Sequence, residues 1–235
     1  MISIITPVLN GAAFIEKNIL AVQKLEIPFE HIIVDGGSSD DTLVIVSKYP
    51  NVKIVHQRER GGMYHAIHLG ILEANGKFVT WVNADDVIIS RGYEKLYDSI
   101  MPGNADVVYS NAYFIDVAGN RLKSIKGRFF AKYLLQNGIF PFIQPAAVFT
   151  RALYEQVGGF DYQNFKIAGD LDLFHKFSLV EAAKFKKINE YSVEFLKHGE
   201  SLGDKNTALA NEERDRAGIP RPNVVLRILN KILSF

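Results

Sequence analysis

The 235-residue chain contains no cysteine. Disulfides, thiolate metal sites and cysteine nucleophiles are therefore excluded together. It also lacks an excess of either charge, since 27 lysines and arginines face 26 aspartates and glutamates for a formal net charge of +1. No bulk field draws such a protein onto a polyanion, and nucleic acid is not an expected partner. No apolar run approaches the ~20 residues that a bilayer-spanning helix needs. Met1-Ile2-Ser3-Ile4-Ile5-Thr6-Pro7 carries neither a basic leader nor a cleavage site, so a cytoplasmic protein is expected. What is present suits a globular domain: 48% apolar and 23% charged residues, in a chain long enough for a sizeable core.

Short apolar runs, several of them β-branched, predict strands over residues 2–6, 31–35, 52–56, 77–83 and 106–110. Helical periodicity over 14–25, 41–49, 63–74 and 91–100 alternates with them, and returns near 151–157 and 170–180. Alternation of this kind implies right-handed crossovers and an α/β fold, a mostly parallel central sheet with helices on both faces. The stretch 119–138, with Lys123, Lys126, Arg128 and Lys132, is expected to be a hairpin or mobile connection over the site.

Ligands of such sheets sit at the carboxyl ends of the strands. Three of these ends are rich in polar groups: Pro7-Val8-Leu9-Asn10-Gly11, Asp35-Gly36-Gly37-Ser38-Ser39-Asp40-Asp41-Thr42, and Asn83-Ala84-Asp85-Asp86. Asp35 is placed to accept hydrogen bonds from a base or a ribose, while the glycines after it allow close backbone approach. Asp40 and Asp41 fit capping of the next helix better. Adjacent carboxylates at Asp85 and Asp86 repel unless a cation relieves them, and oxygen ligands of this type suit Mg²⁺ or Mn²⁺ on a diphosphate. Asp170 and Asp172 open a helical run; spacing leaves general base and helix-dipole partner equally open, with Asp172 the better fit to the second. His198 fits a metal or phosphate ligand as well as a surface histidine. The segment 222–235 mixes basic and apolar residues and suits a membrane face, a core contact or a second subunit.

These motifs, in this order, resemble the family 2 glycosyltransferases of GT-A fold, over roughly residues 2–177. Ile4-Ile5-Thr6-Pro7-Val8-Leu9-Asn10 resembles the opening strand and donor loop, and Ile32-Ile33-Val34-Asp35-Gly36-Gly37 the nucleotide-binding turn. The helix from Gly62 to Gly70 is similar to the one beneath the donor, and Trp81-Val82-Asn83-Ala84-Asp85-Asp86 to the metal motif. Gln144-Pro145-Ala146-Ala147, Gly158-Gly159-Phe160-Asp161 and Ala168-Gly169-Asp170-Leu171-Asp172 are similar to the acceptor half. There are departures. Asn83 stands where many relatives carry aspartate, Gly169 replaces the first acid of an acidic pair, and Arg60, His65 and His68 replace an acid, an aspartate and an asparagine.

The resemblance implies an inverting transferase that builds bacterial surface polysaccharide from a nucleotide-diphospho-sugar, with uridine the favoured base. Asp170 would be the base. Thr6, Pro7, Asn10, Asp35, Gly36, Gly62, Asn83, Ala84 and Asp85 would line the donor site. Asp85 and His198 would hold Mn²⁺ or Mg²⁺, with Asp86 and Gln144 in support. Residues 1–200 would form the GT-A domain, divided near 110 into nucleotide and acceptor halves, with 201–235 as an extension. The acceptor would be a saccharide or a lipid-linked one, with the tail in peripheral contact with the inner face of the membrane. A weakly catalytic nucleotide-binding scaffold and a sugar nucleotidyltransferase are the alternatives.

Overall fold

The structure, a computed structural model, describes residues 1–59, 61–197 and 206–222. Its first half follows the predicted alternation. Strand β1 (Ile2–Val8) is followed by α1 (Ile15–Val22), β2 (Phe29–Asp35), α2 (Thr42–Val46), β3 (Val52–His56), α3 (Gly62–Leu72) and β4 (Phe78–Trp81). All four strands are parallel, in the spatial order β3-β2-β1-β4. Side chains alternate across them with the two-residue period of a strand. Ile5, Ile32, Val34, Val79 and Trp81 bury on one face, against α3; Ile2, Ile4 and Phe78 bury on the other.

Beyond β4 come β5 (Val87–Ile88), α4 (Ser90–Ile100), β6 (Val107–Ile115), β7 (Arg121–Ile125) and α5 (Ala131–Gln136). Then follow β8 (Ala147–Thr150), α6 (Arg151–Gln156), α7 (Gly169–Leu179), β9 (Phe185–Leu196) and α8 (Thr207–Arg216). The sheet continues from β4 through β8, β6 and β9 to β5. β6 shares one edge between β8 and β7 and pairs with β9 along the other. β8 is antiparallel to both β4 and β6, β9 is parallel to β6, and β5 and β7 are antiparallel to their neighbours. Six strands (β1, β2, β3, β4, β6, β9) thus point one way and three (β5, β7, β8) the other.

The 119–138 stretch contains the second arm of a hairpin, β7 on β6, and then α5, which the sequence pattern did not indicate. β8 and β9 were also unanticipated. β9 reads Phe-Lys-Lys-Ile-Asn-Glu-Tyr-Ser-Val-Glu-Phe-Leu, and its polar residues hide the alternation.

Trp81 anchors the larger core. It is 1% exposed, and its ring lies 5.3 Å from Phe160 and 6.1 Å from both Phe149 and Phe174. These rings come from β8, from the loop after α6 and from α7. The end of β4, where the Asn83–Asp86 turn begins, is thereby packed against the second half of the chain.

Candidate functional site

The ends of β1 and β2 are stitched together by their own polar residues. Asn10 takes a left-handed backbone (φ 53°), a conformation that asparagine tolerates better than most residues. Its amide donates to Ser38 Oγ at 2.9 Å, and its side-chain oxygen accepts from the Ser39 amide at 2.8 Å. Thr42 Oγ1 accepts from the Gly11 amide, and Asp40 accepts from the amides of Ala12 and Thr42. Asp40 is thus a turn-forming acid, as its capping-type sequence suggested. Asp35 is 2% exposed and accepts the amides of Gly37 at 3.0 Å and Ser38 at 3.1 Å. Exposed His56 at the end of β3 lies 3.8 Å from its Oδ2. Gly36 donates to the Val8 carbonyl at 2.8 Å, which closes the two loops over β1.

Pro7 is buried within β1. Thr6 is buried below the rim, with its hydroxyl 2.9 Å from His31 Nε2 and 3.3 Å from Asn18 Oδ1. The Asn18 amide in turn donates to the carbonyls of Asn83 and Asp86, both at 3.0 Å. A buried polar network therefore runs from β2 through β1 and α1 to the third loop. Burial pushes the His31 imidazole down to about 3, so it is neutral in the folded protein.

Asp85 is half-buried beside a cleft of about 140 Å³ that Phe14, Lys17, Asp116 and Val117 also line. Asp86 behaves differently. It is 1% exposed and accepts the Leu196 amide at 3.1 Å. Burial first, and the neighbouring Asp85 charge second, push its carboxyl well above the usual range. Burial thus separates the two neighbouring acids, with Asp85 at the rim and Asp86 beneath it. Asn83 Oδ1 is buried without a partner among the described residues. Gln144, 7% exposed, donates to the Trp81 carbonyl at 2.9 Å and so secures the strand from which this loop springs. Ala84 packs against the small core beneath α1 and α2.

Asp86 and His31 tilt stability in opposite directions. A histidine held neutral stabilises fully above its unfolded value, and that contribution is lost as pH falls from about 6.5 towards 3. A carboxyl held protonated does the reverse: its contribution is present below about 3.8 and is lost as pH rises through the folded value. Asp86→Asn keeps the Leu196 bond and removes the second effect. Its gain in unfolding free energy over the parent is expected to grow with pH by about 1.4 kcal/mol per unit until the folded value is reached. Urea unfolding at pH values stepped upward from 4 reads this, and a pH-independent difference would refute a raised Asp86 carboxyl.

Gly62 starts α3 with a left-handed backbone (φ 79°), which explains a glycine there although a side chain would meet nothing. Two residues on, Tyr64 is buried. Its hydroxyl lies 2.7 Å from the Ile167 carbonyl and 3.3 Å from Asp170 Oδ1. Asp170 stands partly buried in the first turn of α7 and also accepts the Leu171 amide at 2.8 Å. Burial of the carboxyl outweighs these bonds and raises it above the usual range, which makes it a better base than a solvated aspartate. Asp172 pairs with Lys176 at 2.6 Å, one helical turn on, and has the structural duty its position suggested.

The glycine before Asp170 has a steric cause. A Cβ on Gly169 would sit 2.7 Å from Cδ2 and Cε2 of Tyr64. Gly169→Asp, which restores the acidic pair of the resembling family, is expected to cost about 1–3 kcal/mol by overpacking. Denaturant unfolding checks this, and unchanged stability would show that the Tyr64 ring gives way freely. His65 and His68 have also found local partners. His65 stacks on Tyr162 at 4.4 Å and meets the Gln57 amide at 2.9 Å, and His68 Nδ1 lies 2.7 Å from the Tyr154 hydroxyl.

Three or more His, Asp or Glu side chains converge nowhere among the described residues. An ion shared with a diphosphate needs only one or two carboxylates, because phosphate and water complete its shell. Asp85 alone, with the unpartnered Asn83 oxygen beside it, fits that mode. His198, Arg60 and residues 223–235 of the tail lie outside the described residues. Among those that are described, no helix is long and apolar enough to cross a membrane.

Comparison with known proteins converges on one group. The model of Glycosyl transferase family 2 matches residues 3–158. An uncharacterised glycosyltransferase of Rickettsia prowazekii is 29% identical over 194 residues, which are 79% of this chain and 61% of its own. Glycosyltransferase GlyG of Streptococcus pneumoniae is 31% identical over 121 residues, 49% of this chain and 40% of its own. The chain therefore spans less than two thirds of these relatives. Among solved structures, S. aureus TarS in complex with UDP-GlcNAc superposes over 93% of this chain and 65% of its own, with a TM-score of 0.73 at 20% identity. Mannosyltransferase PcManGT from Pyrobaculum calidifontis, in complex with GDP-Man and Mn²⁺, covers 98% of this chain and 64% of its own, with a TM-score of 0.64 at 19% identity. The fold they share with this chain is GT-A.

Proposed function

The chain belongs to glycosyltransferase family 2, and we propose that it transfers a sugar from a nucleoside-diphosphate donor to a hydroxyl acceptor, with inversion at the anomeric carbon. The observation that carries this reading is the pairing of two features: carboxylates at the ends of β2 and β4 on one rim, and a desolvated carboxyl, Asp170, in the first turn of α7.

Pro7, Asn10, Gly36 and Asp35 form the base and ribose end of the donor site, and Gly62, Asn83 and Ala84 line its path towards the sugar. Thr6 supports this site from below. Mn²⁺ or Mg²⁺ would be held by Asp85 and the donor diphosphate, where it neutralises the leaving group as a Lewis acid. His198 is a further ligand candidate. Asp170 takes the proton of the acceptor hydroxyl as its oxygen bonds to the anomeric carbon. The bond from that carbon to the diphosphate oxygen breaks in the same step, and the nucleoside diphosphate leaves with the bonding pair. One displacement gives one inversion. UDP-sugars are the favoured donors, supported by the TarS complex with UDP-GlcNAc. A bacterial surface saccharide or its lipid-linked precursor is the favoured acceptor, and the apolar-basic tail suits work at the inner membrane face.

A panel of UDP-, GDP- and dTDP-sugars, each with Mn²⁺ and with EDTA, tests the reading. Thermal stabilisation by one nucleotide class that depends on the metal, with slow release of its nucleoside diphosphate, is expected. A flat melting response with no release from any donor would contradict it.

A further inference from the structure

Helix α8, the last element among the described residues, is polar almost throughout, yet it buries one carboxylate. Glu213 is 1% exposed. Its Oε1 accepts the Lys166 amide at 2.7 Å, and its Oε2 accepts the amides of Ile167 at 3.0 Å and Ala168 at 2.8 Å. Three consecutive backbone donors, in the turn that leads into α7, thus converge on one side chain from the extension. Arg214, the next residue, donates to the Gly138 carbonyl at 2.9 Å and so ties α8 to the end of α5 as well.

The peptide unit between Ile167 and Ala168 carries the consequence. Its N–H donates to Glu213, and its carbonyl accepts the Tyr64 hydroxyl at 2.7 Å. A charged acceptor on the N–H polarises the unit and strengthens its carbonyl as an acceptor, since linked hydrogen bonds reinforce one another. Tyr64 has one proton to give and two candidate acceptors, the Ile167 carbonyl and, at 3.3 Å, Asp170 Oδ1. With Glu213 in place, the carbonyl holds that proton.

We propose that Glu213 is a positioning residue for Asp170, acting through the 167–168 peptide and the Tyr64 hydroxyl. It fixes the turn from which α7 starts, and it keeps the Tyr64 proton off the Asp170 carboxylate so that this oxygen remains free to accept a proton from the substrate. The extension beyond residue 205 is then part of the catalytic unit. The inference rests on the reading of Asp170 as the base only in its consequence for turnover; the coupling itself is a property of the protein alone.

Other charged groups near Asp170 have partners of their own. Asp172 pairs with Lys176, His65 stacks on Tyr162, the Asp161 carboxylate accepts from Asn164, and the Lys166 ammonium donates to the Tyr162 carbonyl. Tyr64 on α3 brings its hydroxyl to 3.3 Å from Asp170 Oδ1, and Glu213 on α8 stands behind it.

The test is a carboxyl ¹³C titration of Asp170 in the ligand-free protein, assigned with Asp170→Asn, in the parent, in Glu213→Gln and in Tyr64→Phe. In Glu213→Gln the hydroxyl turns to Asp170, which stabilises its anion, so the titration midpoint is expected to fall. In Tyr64→Phe the midpoint is expected not to rise, because the parent's hydroxyl proton lies on the Ile167 carbonyl, while the ring still fills its place against Gly169. UDP release from a UDP-sugar with Mn²⁺ is expected to drop roughly 10-fold to 10²-fold in Glu213→Gln, with UDP affinity unchanged. An unmoved midpoint in Glu213→Gln overturns the inference. If that variant does not fold, a midpoint that rises in Tyr64→Phe, which would place the hydroxyl proton on Asp170 in the parent, overturns it equally. A lowered midpoint in Glu213→Gln with undiminished UDP release in Asp170→Asn would instead refute Asp170 as the base and leave the coupling standing.

Discussion

Asp170→Asn is expected to lower turnover by about 10²–10⁴-fold, the usual worth of a positioned general base. In free energy this is roughly 3–5 kcal/mol of lost transition-state stabilisation. Asparagine matches aspartate in shape and can still accept the Leu171 amide, so α7 should begin as before. It cannot take a proton from an acceptor hydroxyl. The proposed donor site lies at the rim of β1, β2 and β4, so the dissociation constant for the nucleotide is expected to stay within about twofold. Turnover at saturating donor and calorimetric binding of UDP with Mn²⁺ separate the two effects. Normal turnover would remove Asp170 from the chemistry, and a large loss of UDP affinity would move it into the donor site.

Asp85→Ala is expected to fail at the other step. Lewis-acid neutralisation of a diphosphate is worth several kcal/mol, and each 1.4 kcal/mol is a factor of ten in affinity. UDP affinity in Mn²⁺ should therefore fall by about 10²-fold, to the value the parent shows in EDTA, while in EDTA the two proteins bind alike. Asp86 offers no replacement, because its carboxyl is buried and committed to the Leu196 amide. A variant that keeps the full Mn²⁺-dependent gain would show that the metal is held elsewhere, and His198 would be the next residue to replace.

The parallel half of the fold was legible because its signals are local. Each strand from β1 to β4 is a short apolar run, each is followed by helical periodicity, and side-chain alternation decides which residues reach which face. The polar strand ends could be read for the same reason. The acceptor half depends on contacts distant in sequence. β9 is polar enough to pass for a loop until β6 and β5 pair with both its edges, and β8 is only four residues long. Asp85 and Asp86 were told apart in the sequence only by the resemblance, and burial gives the physical ground, with Asp85 half-buried beside the cleft and Asp86 enclosed. Tyr64 and Glu213 carried no mark in the sequence. The first is one aromatic in a helical pattern, the second one acid in a polar stretch, and their roles arise from partners 103 and 45–47 positions away. Gly169 looked like a lost acid until the Tyr64 ring was found against it.

Single displacement at the anomeric carbon is the central claim, and the slow hydrolysis of the donor tests it without a known acceptor. The α-linked UDP-sugar that binds best would be incubated with the enzyme and Mn²⁺, and the released sugar followed by proton NMR before it mutarotates. Water in the acceptor position, deprotonated by Asp170, should give the β-anomer first, and Asp170→Asn should abolish that signal. First appearance of the α-anomer would mean two displacements or retention, and would contradict the account.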